Sequence, residues 1–585
     1  MNFWKAFFAS CLGTLVALIL LCVIIVSIAS LSGGDEVEVK ESSILRLDLD
    51  APVIEIEKET PFIVALLGEG APHPIGLAQL RQTIEHAKGD DNIKGIYLNV
   101  SFPQTGYTII EEIRQALLDF RTSGKWVVAY SEYMSEAAYY LVSAADKVYL
   151  NPEGELEFNG LTAEVSFFKR LFDKLEIKPE VFRVGEFKSA VEPFLLEKMS
   201  PENRLQLTEL INSIYGHVLN SVSEARKIPR EKLEEIADKM LVRNAKLALE
   251  YKLVDSLLYV DQVEEQLKKR VGIESGKKLE FIKYQKYKRS FSTYKSSKNE
   301  VAVLVAEGTI LPGKSERGNN IIGSESFIKD LKKIRDDEEV KAVVIRINSP
   351  GGSFQASDAM WREIKLTAQS KPVIASMSDY AASGGYFLAM ACDTIVAQPH
   401  TITGSIGVFS VLFDASGLLN NKIGITSEEI RTGEVGDIFT MTRPLTAQER
   451  DIWQTRTEEI YETFTGKAAE GRDVPVDSIK KVASGRVWTG DQAMQRKLVD
   501  VVGDFQEAIN IAVKSASLSD DYKVRYYPQY SPSFVEQVIS QMEDEEKSEA
   551  MKEELGAYYH LYEYWKVVKS YQGTQARMPY ELKIQ

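Results

Sequence analysis

The chain has 585 residues, of which 44% are hydrophobic and 26% charged, an ordinary composition for a globular protein with a large core. Its net charge is −15 and no domain is strongly basic, which argues against nucleic acid as a partner. Only one of the three cysteines lies beyond the apolar N-terminal stretch, so the body has no disulfide framework and no Cys/His metal spacing. We therefore expect no metal and no cofactor.

The N-terminal segment 6–31 contains 26 uncharged residues, and about 20 apolar residues suffice to cross the hydrocarbon core of a bilayer. Lys5 precedes it and Asp35 and Glu36 follow, which favours a cytoplasmic tip at 1–5 and a body on the outer side. A cleaved signal peptide is the alternative, but this apolar run exceeds the 7–15 residues typical of a signal sequence. The segment therefore predicts an uncleaved transmembrane anchor.

The remaining chain repeats itself at a spacing of about 247 residues. Four separated pairs of segments match, at offsets of 247, 247, 248 and 245: KGIYLNVSFP (94–103) with KAVVIRINSP (341–350), AYYLVSAADKVYLNP (138–152) with GYFLAMACDTIVAQP (385–399), FRVGEF (182–187) with IRTGEV (430–435), and KLVD (252–255) with KLVD (497–500). So steady a shift indicates two copies of one domain.

The body accordingly divides into a first repeat at 44–275, a basic linker at 276–298 and a second repeat at 299–530. The basic, tyrosine-rich stretch 277–298 is interpreted as a solvated strand and linker, with contact to anionic lipid headgroups as the alternative. The C-terminal tail 531–585 is rich in glutamate and then in tyrosine, and its role cannot be read from its composition.

Short β-branched runs alternate with longer helical patterns in each repeat. The runs 342–347 and 373–376 predict buried strands, and 357–369 predicts the helix between them. Alternation of this kind is typical of parallel strands covered by helices, so we predict an α/β fold.

Differences between the repeats point to specialised residues. Ser383, in SDYAASGGYF, faces Glu136 of the first repeat, and the glycines of NSPGGS face Gln104 and Thr105. In the opposite direction, Lys188 of the first repeat faces Gly436. A helix cap is the simple interpretation of Ser383. Because the first repeat keeps the helix pattern without the serine, one site assembled from both halves is the alternative.

Such a site could perform nucleophilic catalysis. A serine hydroxyl needs a base, and none of the five histidines stands in a recognisable triad context; His400 is interpreted as a loop residue. Lys188 can act as the base if burial keeps its amine neutral, which requires Glu186 and Glu192 to point away.

An oxyanion would also need donors. Gly351 and Gly352 follow a predicted strand, where their amides can approach a substrate closely. The alternative for this pair is a plain tight turn. The amide of Ser383 and the helix dipole behind it are expected to contribute as well.

The motifs NSPGGS, MSDYAASGGYF, TGSIGV (403–408) and FKSAVEPF (187–194), in one anchored chain with a tandem repeat, resemble the signal peptide peptidase A family in its long, two-domain form. The resemblance covers the chain from the anchor to about residue 530. One departure is Ser378, which stands where the family usually has glycine and is expected to alter the turn before the serine.

The resemblance implies tandem ClpP/crotonase-like domains and a serine protease with a Ser–Lys dyad. Ser383 would be the nucleophile, Lys188 the general base, Gly351 and Gly352 the oxyanion donors, and Ser405 the serine that orients the lysine. It also implies degradation of remnant signal peptides at the bacterial cytoplasmic (inner) membrane, with the body on the outer, periplasmic side. The implied partners are apolar peptides, the lipid bilayer and other copies of the chain, with a tetramer favoured.

Two other classes of protein remain as alternatives. A catalytically inactive crotonase-like membrane scaffold would not need Ser383, Lys188 and the glycine pair together. An acyl-CoA enzyme of the crotonase type would need neither an anchor nor a paired lysine, and no CoA-binding feature is visible.

Overall fold

The computed structural model describes residues 12–14, 37–57, 74–274, 276–292, 297–315, 320–528 and 573–577. Of the predicted anchor at 6–31, only residues 12–14 fall within these ranges, so that prediction lies outside the described residues. Within the described ranges, none of the helices is both long enough and apolar enough to span a bilayer.

The first repeat is built on one six-stranded parallel sheet with the order β8-β6-β5-β4-β1-β9. Its strands are β1 (Ser43–Asp48), β2 (Val53–Ile54), β3 (Ile75–Gly76), β4 (Ile93–Asn99), β5 (Trp126–Met134), β6 (Lys147–Leu156), β7 (Lys178–Val184), β8 (Ser256–Leu257) and β9 (Phe281–Lys283). Strands β2 and β3 form a separate parallel pair, and β7 joins another sheet.

Ten helices accompany these strands: α1 (Leu77–Gly89), α2 (Tyr107–Arg121), α3 (Glu136–Val142), α4 (Lys169–Leu175), α5 (Glu192–Leu195), α6 (Pro201–Arg226), α7 (Arg230–Asp238), α8 (Ala245–Glu250), α9 (Val260–Val271) and α10 (Tyr284–Tyr287), within the part of the chain that the structure describes. A single 3-10 turn at Ser189–Val191 precedes α5. Apolar side chains of β1, β4 and β5 pack under α1 and α2 to form the core of this repeat.

The second repeat has a main sheet with the order β19-β17-β15-β13-β10-β21, parallel except between β17 and β19, and β16 and β20 attach beside β15. Its strands are β10 (Glu300–Glu307), β11 (Thr309–Leu311), β12 (Ile321–Gly323), β13 (Val340–Ser349), β14 (Gly351–Ser353), β15 (Val373–Ala382), β16 (Thr394–Ala397), β17 (Ile402–Gly404), β18 (Val408–Asp414), β19 (Val487–Thr489), β20 (Val501–Val502), β21 (Lys523–Tyr527) and β22 (Gly573–Arg577).

The helices of this repeat are α11 (Ser324–Asp336), α12 (Phe354–Ala368), α13 (Gly384–Ala389), a π-helical turn (Leu418–Ile423), α14 (Ala447–Arg472), α15 (Val476–Val482), α16 (Gly490–Gln495) and α17 (Phe505–Ser515). The predicted strands at 342–347 and 373–376 lie within β13 and β15, and the α/β class with parallel sheets is confirmed. The helix predicted at 357–369 begins earlier, at Phe354, because the Ser353 side chain caps it by accepting from the Ala356 amide at 3.4 Å.

The basic stretch after the first repeat contains a strand, in agreement with its interpretation as a strand and linker, but the strand and its neighbours are not fully solvated. Residues 281–283 form β9, which pairs with β1 as an edge strand of the first sheet. Tyr284 and Tyr287 of the following turn are buried against the first repeat's core. Part of the stretch interpreted as a solvated connection therefore belongs to the first repeat's own packing.

A third sheet, with the order β12-β11-β14-β22-β18-β7, joins the two halves. Strand β7 of the first repeat runs antiparallel to β18 of the second, from Lys178 opposite Asp414 to Val184 opposite Val408. The end of β7 therefore meets the beginning of β18, and the loops that continue from these two ends lie together.

A buried ion cluster also connects the halves. Arg346 of β13 donates to Glu55 at 2.9 Å and to Glu112 at 3.3 Å, both in the first repeat. Its other guanidinium nitrogen donates to the Ser378 hydroxyl at 3.1 Å. Ser378 thus lies in β15 as a buried partner of Arg346, in the irregular stretch where the register with β13 shifts between Met377 and Ala381. The effect of this serine on the turn at Ser383 stays a prediction.

Candidate active site

Lys188 and Ser383 meet although 195 positions separate them in the chain. The Lys188 Nζ lies 2.8 Å from the Ser383 Oγ, and both residues are completely buried. One repeat supplies the amine and the other supplies the hydroxyl. A serine nucleophile and its base must lie within this hydrogen-bond distance to exchange a proton.

The sheets explain why these side chains converge. Ser383 and Ser405 directly follow Ala382 and Gly404, which are paired across the parallel strands β15 and β17. Lys188 lies four residues after β7, and Ser405 lies three residues before β18, at the shared end of that antiparallel pair. Two strand pairings therefore bring three short loops to one point.

The backbone at Ser383 is strained, with φ +55° and ψ −111°. A non-glycine residue at positive φ costs about 1–3 kcal/mol, and such residues cluster at functional sites. The Ser383 side chain makes no capping hydrogen bond to α13, so the simple interpretation as a helix cap is wrong. The equivalent helix α3 begins after an ordinary extended Ser135 whose side chain does cap it.

The Lys188 amine sits in an environment that favours its neutral form. Burial lowers the pKa of Lys188 well below its ordinary value of 10.5. Glu186 is exposed, and the buried Glu192 carboxylate accepts from the Ser200 hydroxyl at 2.6 Å and from the Asn203 amide at 2.9 Å. The neighbouring carboxylates therefore have other partners, as a neutral amine requires.

Ser405 provides the Lys188 amine with two further oxygen contacts. Its carbonyl oxygen and its Oγ each accept from the Lys188 Nζ at 3.0 Å, and its hydroxyl can donate onward to the Gly485 carbonyl at 3.3 Å. Ser405 itself has φ +51° and is completely buried. The structure places this residue where it can orient the lysine towards Ser383.

The glycine pair forms β14, beside the turn that carries Ser383. Gly351 and Gly352 have φ +100° and +157°, and a Cβ on Gly352 would lie 2.0 Å from the Ile310 carbonyl oxygen. Only glycine fits this conformation at this approach distance. The Gly351 amide also reaches the hydroxyl of Ser349 at 3.2 Å.

The amide of Ser383 is not available as an oxyanion donor, contrary to expectation. It donates to the Gly404 carbonyl at 2.8 Å across β15 and β17. The next amide, that of Gly384, is the first in α13 and has no acceptor within the helix. Sequence reasoning missed Gly384, although the rule that the first amides of a helix are unpaired could have identified it.

Sequence reasoning also missed the loop Ser484–Arg486, which braces both sides of the site. The Ser484 carbonyl accepts from the Phe187 amide at 3.0 Å, and the Arg486 carbonyl accepts from the Ser405 amide at 2.7 Å. Gly485, at φ +79°, donates to the Ile406 carbonyl, and a Cβ there would lie 2.6 Å from the Lys188 Cβ. The signal in the sequence was Gly485 itself, since a glycine in a loop often marks a position where the backbone must approach another segment closely.

His400 lies in a separate polar cluster between the repeats. It is buried beside the buried Glu111 and the half-buried His217, and one possible ligand atom from each falls within 4.8 Å of the others. The Tyr140 hydroxyl donates to Glu111 and lies 3.2 Å from His400 Nε2, and burial lowers the pKa of His400 to about 3. His400 is a loop residue as interpreted, but it is also buried against Tyr140 and His217.

Glu136 occupies the position in the first repeat that is equivalent to Ser383, and its side chain binds backbone amides of a neighbouring loop. Its buried carboxylate accepts from the backbone amides of Asn159 and Gly160 at 3.0 and 2.8 Å. Burial raises its pKa. The first repeat thus keeps helix α3, but at the position of the serine it has a carboxylate that accepts hydrogen bonds from backbone amides.

Comparison with known proteins places this architecture in a family. Residues 119–274 and 365–519 each match Peptidase family S49, and residues 297–403 match the Clp protease family. Serine protease SPPA, chloroplastic, of Arabidopsis thaliana is 38% identical over 78% of this chain and 68% of its own length. Protease 4 of Haemophilus influenzae is 33% identical over 89% of this chain and 88% of its own length.

A protein named putative signal peptide peptidase SppA from Enterococcus faecium is 32% identical over 34% of this chain and 59% of its own length. Among solved structures, a ClpP1 mutant of Listeria monocytogenes covers 35% of this chain and 94% of its own, with 16% identity and a TM-score of 0.24. That score is too low to carry an argument.

The fold and the two family matches define a tandem peptidase of two homologous α/β repeats. The chain belongs to peptidase family S49, in the long two-domain form that resembles signal peptide peptidase A.

Proposed function

We propose that this S49 serine protease cleaves peptide bonds with a Ser383–Lys188 dyad assembled from its two repeats. The observation that carries the proposal is the 2.8 Å contact between the Lys188 Nζ and the Ser383 Oγ in a buried site. Burial lowers the pKa of the lysine well below its ordinary value, which favours the neutral amine that a base requires.

In the first half-reaction, the neutral amine of Lys188 takes the hydroxyl proton as the Ser383 Oγ attacks the carbonyl carbon of the substrate. The negative oxygen that develops is stabilised by backbone amides, and Gly352 and Gly384 are the candidates beside the serine. Gly351 was expected to contribute as well, but its amide donates to the Ser349 hydroxyl at 3.2 Å. The new ammonium is held by the oxygens of Ser405 and passes its proton to the leaving amine. The peptide bond breaks and an ester joins the acyl part to Ser383.

In the second half-reaction, Lys188 takes a proton from water, whose oxygen attacks the ester carbonyl. The tetrahedral oxyanion uses the same amides as before. Lys188 then returns the proton to the Ser383 Oγ, and the acyl part leaves as a carboxylic acid. Acid and base roles alternate on one amine, so no histidine is required.

We propose remnant signal peptides as substrates and the bacterial cytoplasmic membrane as the location, with the body on the outer side. The uncharged segment 6–31 supports the location, and the name of the Enterococcus faecium relative supports the substrate class. An assembly of several copies, with a tetramer favoured, is part of this proposal. Chemical crosslinking of the full chain in detergent would count its subunits.

The dyad is tested by the hydrolysis of an apolar signal-like peptide by full chains of the wild type, Ser383→Ala and Lys188→Met. We expect each variant to lose at least about 10³-fold in kcat, and the double variant to lose little more than either one, because the two groups act as a unit. Methionine matches the length of the lysine stem and removes only the amine, so Lys188→Met should unfold no earlier than the wild type.

Cleavage that survives both substitutions would overturn the dyad. A folded wild type that cleaves no peptide would favour the inactive scaffold instead. The Glu136→Gln variant is a matched control, because it alters the equivalent position of the first repeat and should retain activity.

A further inference from the structure

Three polar side chains from distant parts of the chain converge between the two repeats. Glu111 lies on α2 and His217 on α6, both in the first repeat, and His400 lies just before β17 in the second. One possible ligand atom from each residue lies within 4.8 Å of the other two. The rings of His217 and His400 meet edge to face, with 4.6 Å between their centroids. These three residues form a histidine–glutamate cluster that no local spacing in the sequence could predict.

The hydrogen bonds at this cluster leave one imidazole nitrogen unpaired. Tyr140 donates its single hydroxyl proton to the Glu111 carboxylate, and the Tyr140 oxygen lies 3.2 Å from the His400 Nε2. Because a hydroxyl that has donated its proton can then only accept, the ring proton of His400 must lie on Nε2. The His400 Nδ1 therefore presents a bare lone pair, and it is buried with no hydrogen-bond partner among the residues that the structure describes. A buried polar atom in this state is costly unless a ligand satisfies it.

The same arrangement is typical of histidines that bind metals. Such a histidine binds the ion through one ring nitrogen and donates the N–H of the other to a polar neighbour, which fixes the ring. Tyr140 is that neighbour for His400, and Gln115 supports Glu111 by donating to its other carboxylate oxygen at 2.6 Å. Two imidazoles and one carboxylate, with a position left for water, suit Zn²⁺, whereas Mg²⁺ and Ca²⁺ prefer oxygen ligands.

The surroundings of the cluster allow an ion to enter and limit its affinity. The His217 side chain is 28% exposed, so solvent reaches the cluster at this residue. The Arg114 Nε lies 3.8 Å from a carboxylate oxygen of Glu111, and its guanidinium also donates to the Tyr140 carbonyl at 3.0 Å. This positive charge repels a divalent ion. We therefore expect weaker binding than at a closed structural zinc site with four protein ligands.

We propose that Glu111, His217 and His400 bind one Zn²⁺ ion that joins the two repeats. The site is separate from the dyad, because β17 runs between His400 and Ser405. Since the ligands come from both repeats, they are brought together only in the folded chain, and an ion that binds them stabilises the contact between the repeats. The inference does not depend on the proposed peptidase function.

Calorimetric titration of the untagged full chain with ZnCl₂ tests the site, after treatment with a chelator and dialysis. We expect one Zn²⁺ to bind per chain, and MgCl₂ to show no binding at the same concentrations. His217→Gln and His400→Gln should each weaken zinc binding by at least about 100-fold, and Tyr140→Phe, which removes only the orienting hydroxyl, by about tenfold. His86→Gln is the matched control, because His86 is exposed and stacks on Phe291 outside the cluster.

Thermal unfolding measures whether the ion joins the repeats. Zinc at about 100 times its Kd should raise the Tm of the wild type and of His86→Gln by about 5 °C. The same concentration should leave the Tm of His217→Gln unchanged, and this variant alters a half-buried side chain, so the test holds even if His400→Gln does not fold. Wild-type zinc affinity in His217→Gln, or a wild type that binds no zinc, would overturn the site. Zinc binding that leaves the wild-type Tm unchanged would overturn its role between the repeats.

Discussion

Val184 of the first repeat lies directly opposite Val408 of the second in the antiparallel pair β7–β18. The chain continues from Val184 for four residues to Lys188, which therefore lies beside the loop before Val408 that contains Ser405. The same pairing fixes the distance from the lysine to Ser383, because Gly404 is paired with Ala382. One contact between repeats therefore decides whether the amine and the hydroxyl meet.

The pH dependence of catalysis should follow the protonation of Lys188. Only its neutral amine can accept a proton, and burial places its pKa well below 10.5. We expect kcat/KM to rise with pH along a single limb, with a midpoint well below 10.5, and then to level off. Steady-state kinetics on a short peptide over pH 5 to 10 measures this limb. His400→Gln is the control, because His400 contacts Tyr140 and His217. A limb that disappears in that variant would assign the base to histidine.

The free energy of unfolding should rise with pH because of the Lys188 amine. The unfolded lysine keeps its ordinary pKa and binds a proton that the folded lysine releases, so the wild type gains stability as pH rises between the two pKa values. Lys188→Met should remove this gain. Thermal unfolding of both proteins at several pH values measures the difference, and identical pH slopes would contradict it.

Ser405 should act through Lys188. Its oxygens hold the amine at 3.0 Å, but the backbone carbonyl remains when the hydroxyl is removed. We therefore expect Ser405→Ala to lower kcat by about 10- to 100-fold and to shift the pH limb, while KM changes little. If kcat falls but the pH at the midpoint of the limb stays the same, the substitution has instead loosened the loop without acting through Lys188.

Gly485 should tolerate no side chain. A Cβ would lie 2.6 Å from the Lys188 Cβ, and φ +79° is unfavourable for any other residue. Gly485→Ala should lose about 1–3 kcal/mol of unfolding free energy and most of the activity. Gly433→Ala is the control, because no atom lies within 4 Å of its added Cβ. Denaturant unfolding and peptide hydrolysis check both, and wild-type activity in Gly485→Ala would show that the loop is not a brace.

Arg346 should stabilise the contact between the two repeats, which the pairing of β7 with β18 also joins. Its removal leaves Glu55 buried without its cation, whereas Glu112 keeps its ion pair with Arg81 at 2.6 Å. Loss of one partner of a buried ion cluster costs about 3–5 kcal/mol, so Arg346→Met should destabilise the protein by that amount. Arg46→Met breaks a half-exposed pair with Asp48 and should cost about 1 kcal/mol or less. Chemical denaturation measures both, and equal costs would contradict the role of the cluster.

Comparing the two repeats was enough to predict much of the candidate site. Ser383 and Lys188 stand where the other copy has Glu136 and Gly436, and a difference between copies of one fold marks residues that packing does not require. The strands at 342–347 and 373–376 followed from buried β-branched runs. The amide donors were harder to predict, since the Ser383 amide is used by Gly404 on a strand that is distant in sequence.

The α/β class, the tandem repeat and the residue types of the candidate dyad could all be predicted from the amino-acid sequence. These depend on local periodicity and on the identity of side chains. Three contacts needed the three-dimensional structure: Lys188 reaches Ser383, the loop Ser484–Arg486 contacts both sides of the site, and residues 573–577 pair between β14 and β18. Each of these depends on strand register between distant segments, and register is set by packing and main-chain pairing, which no local pattern specifies.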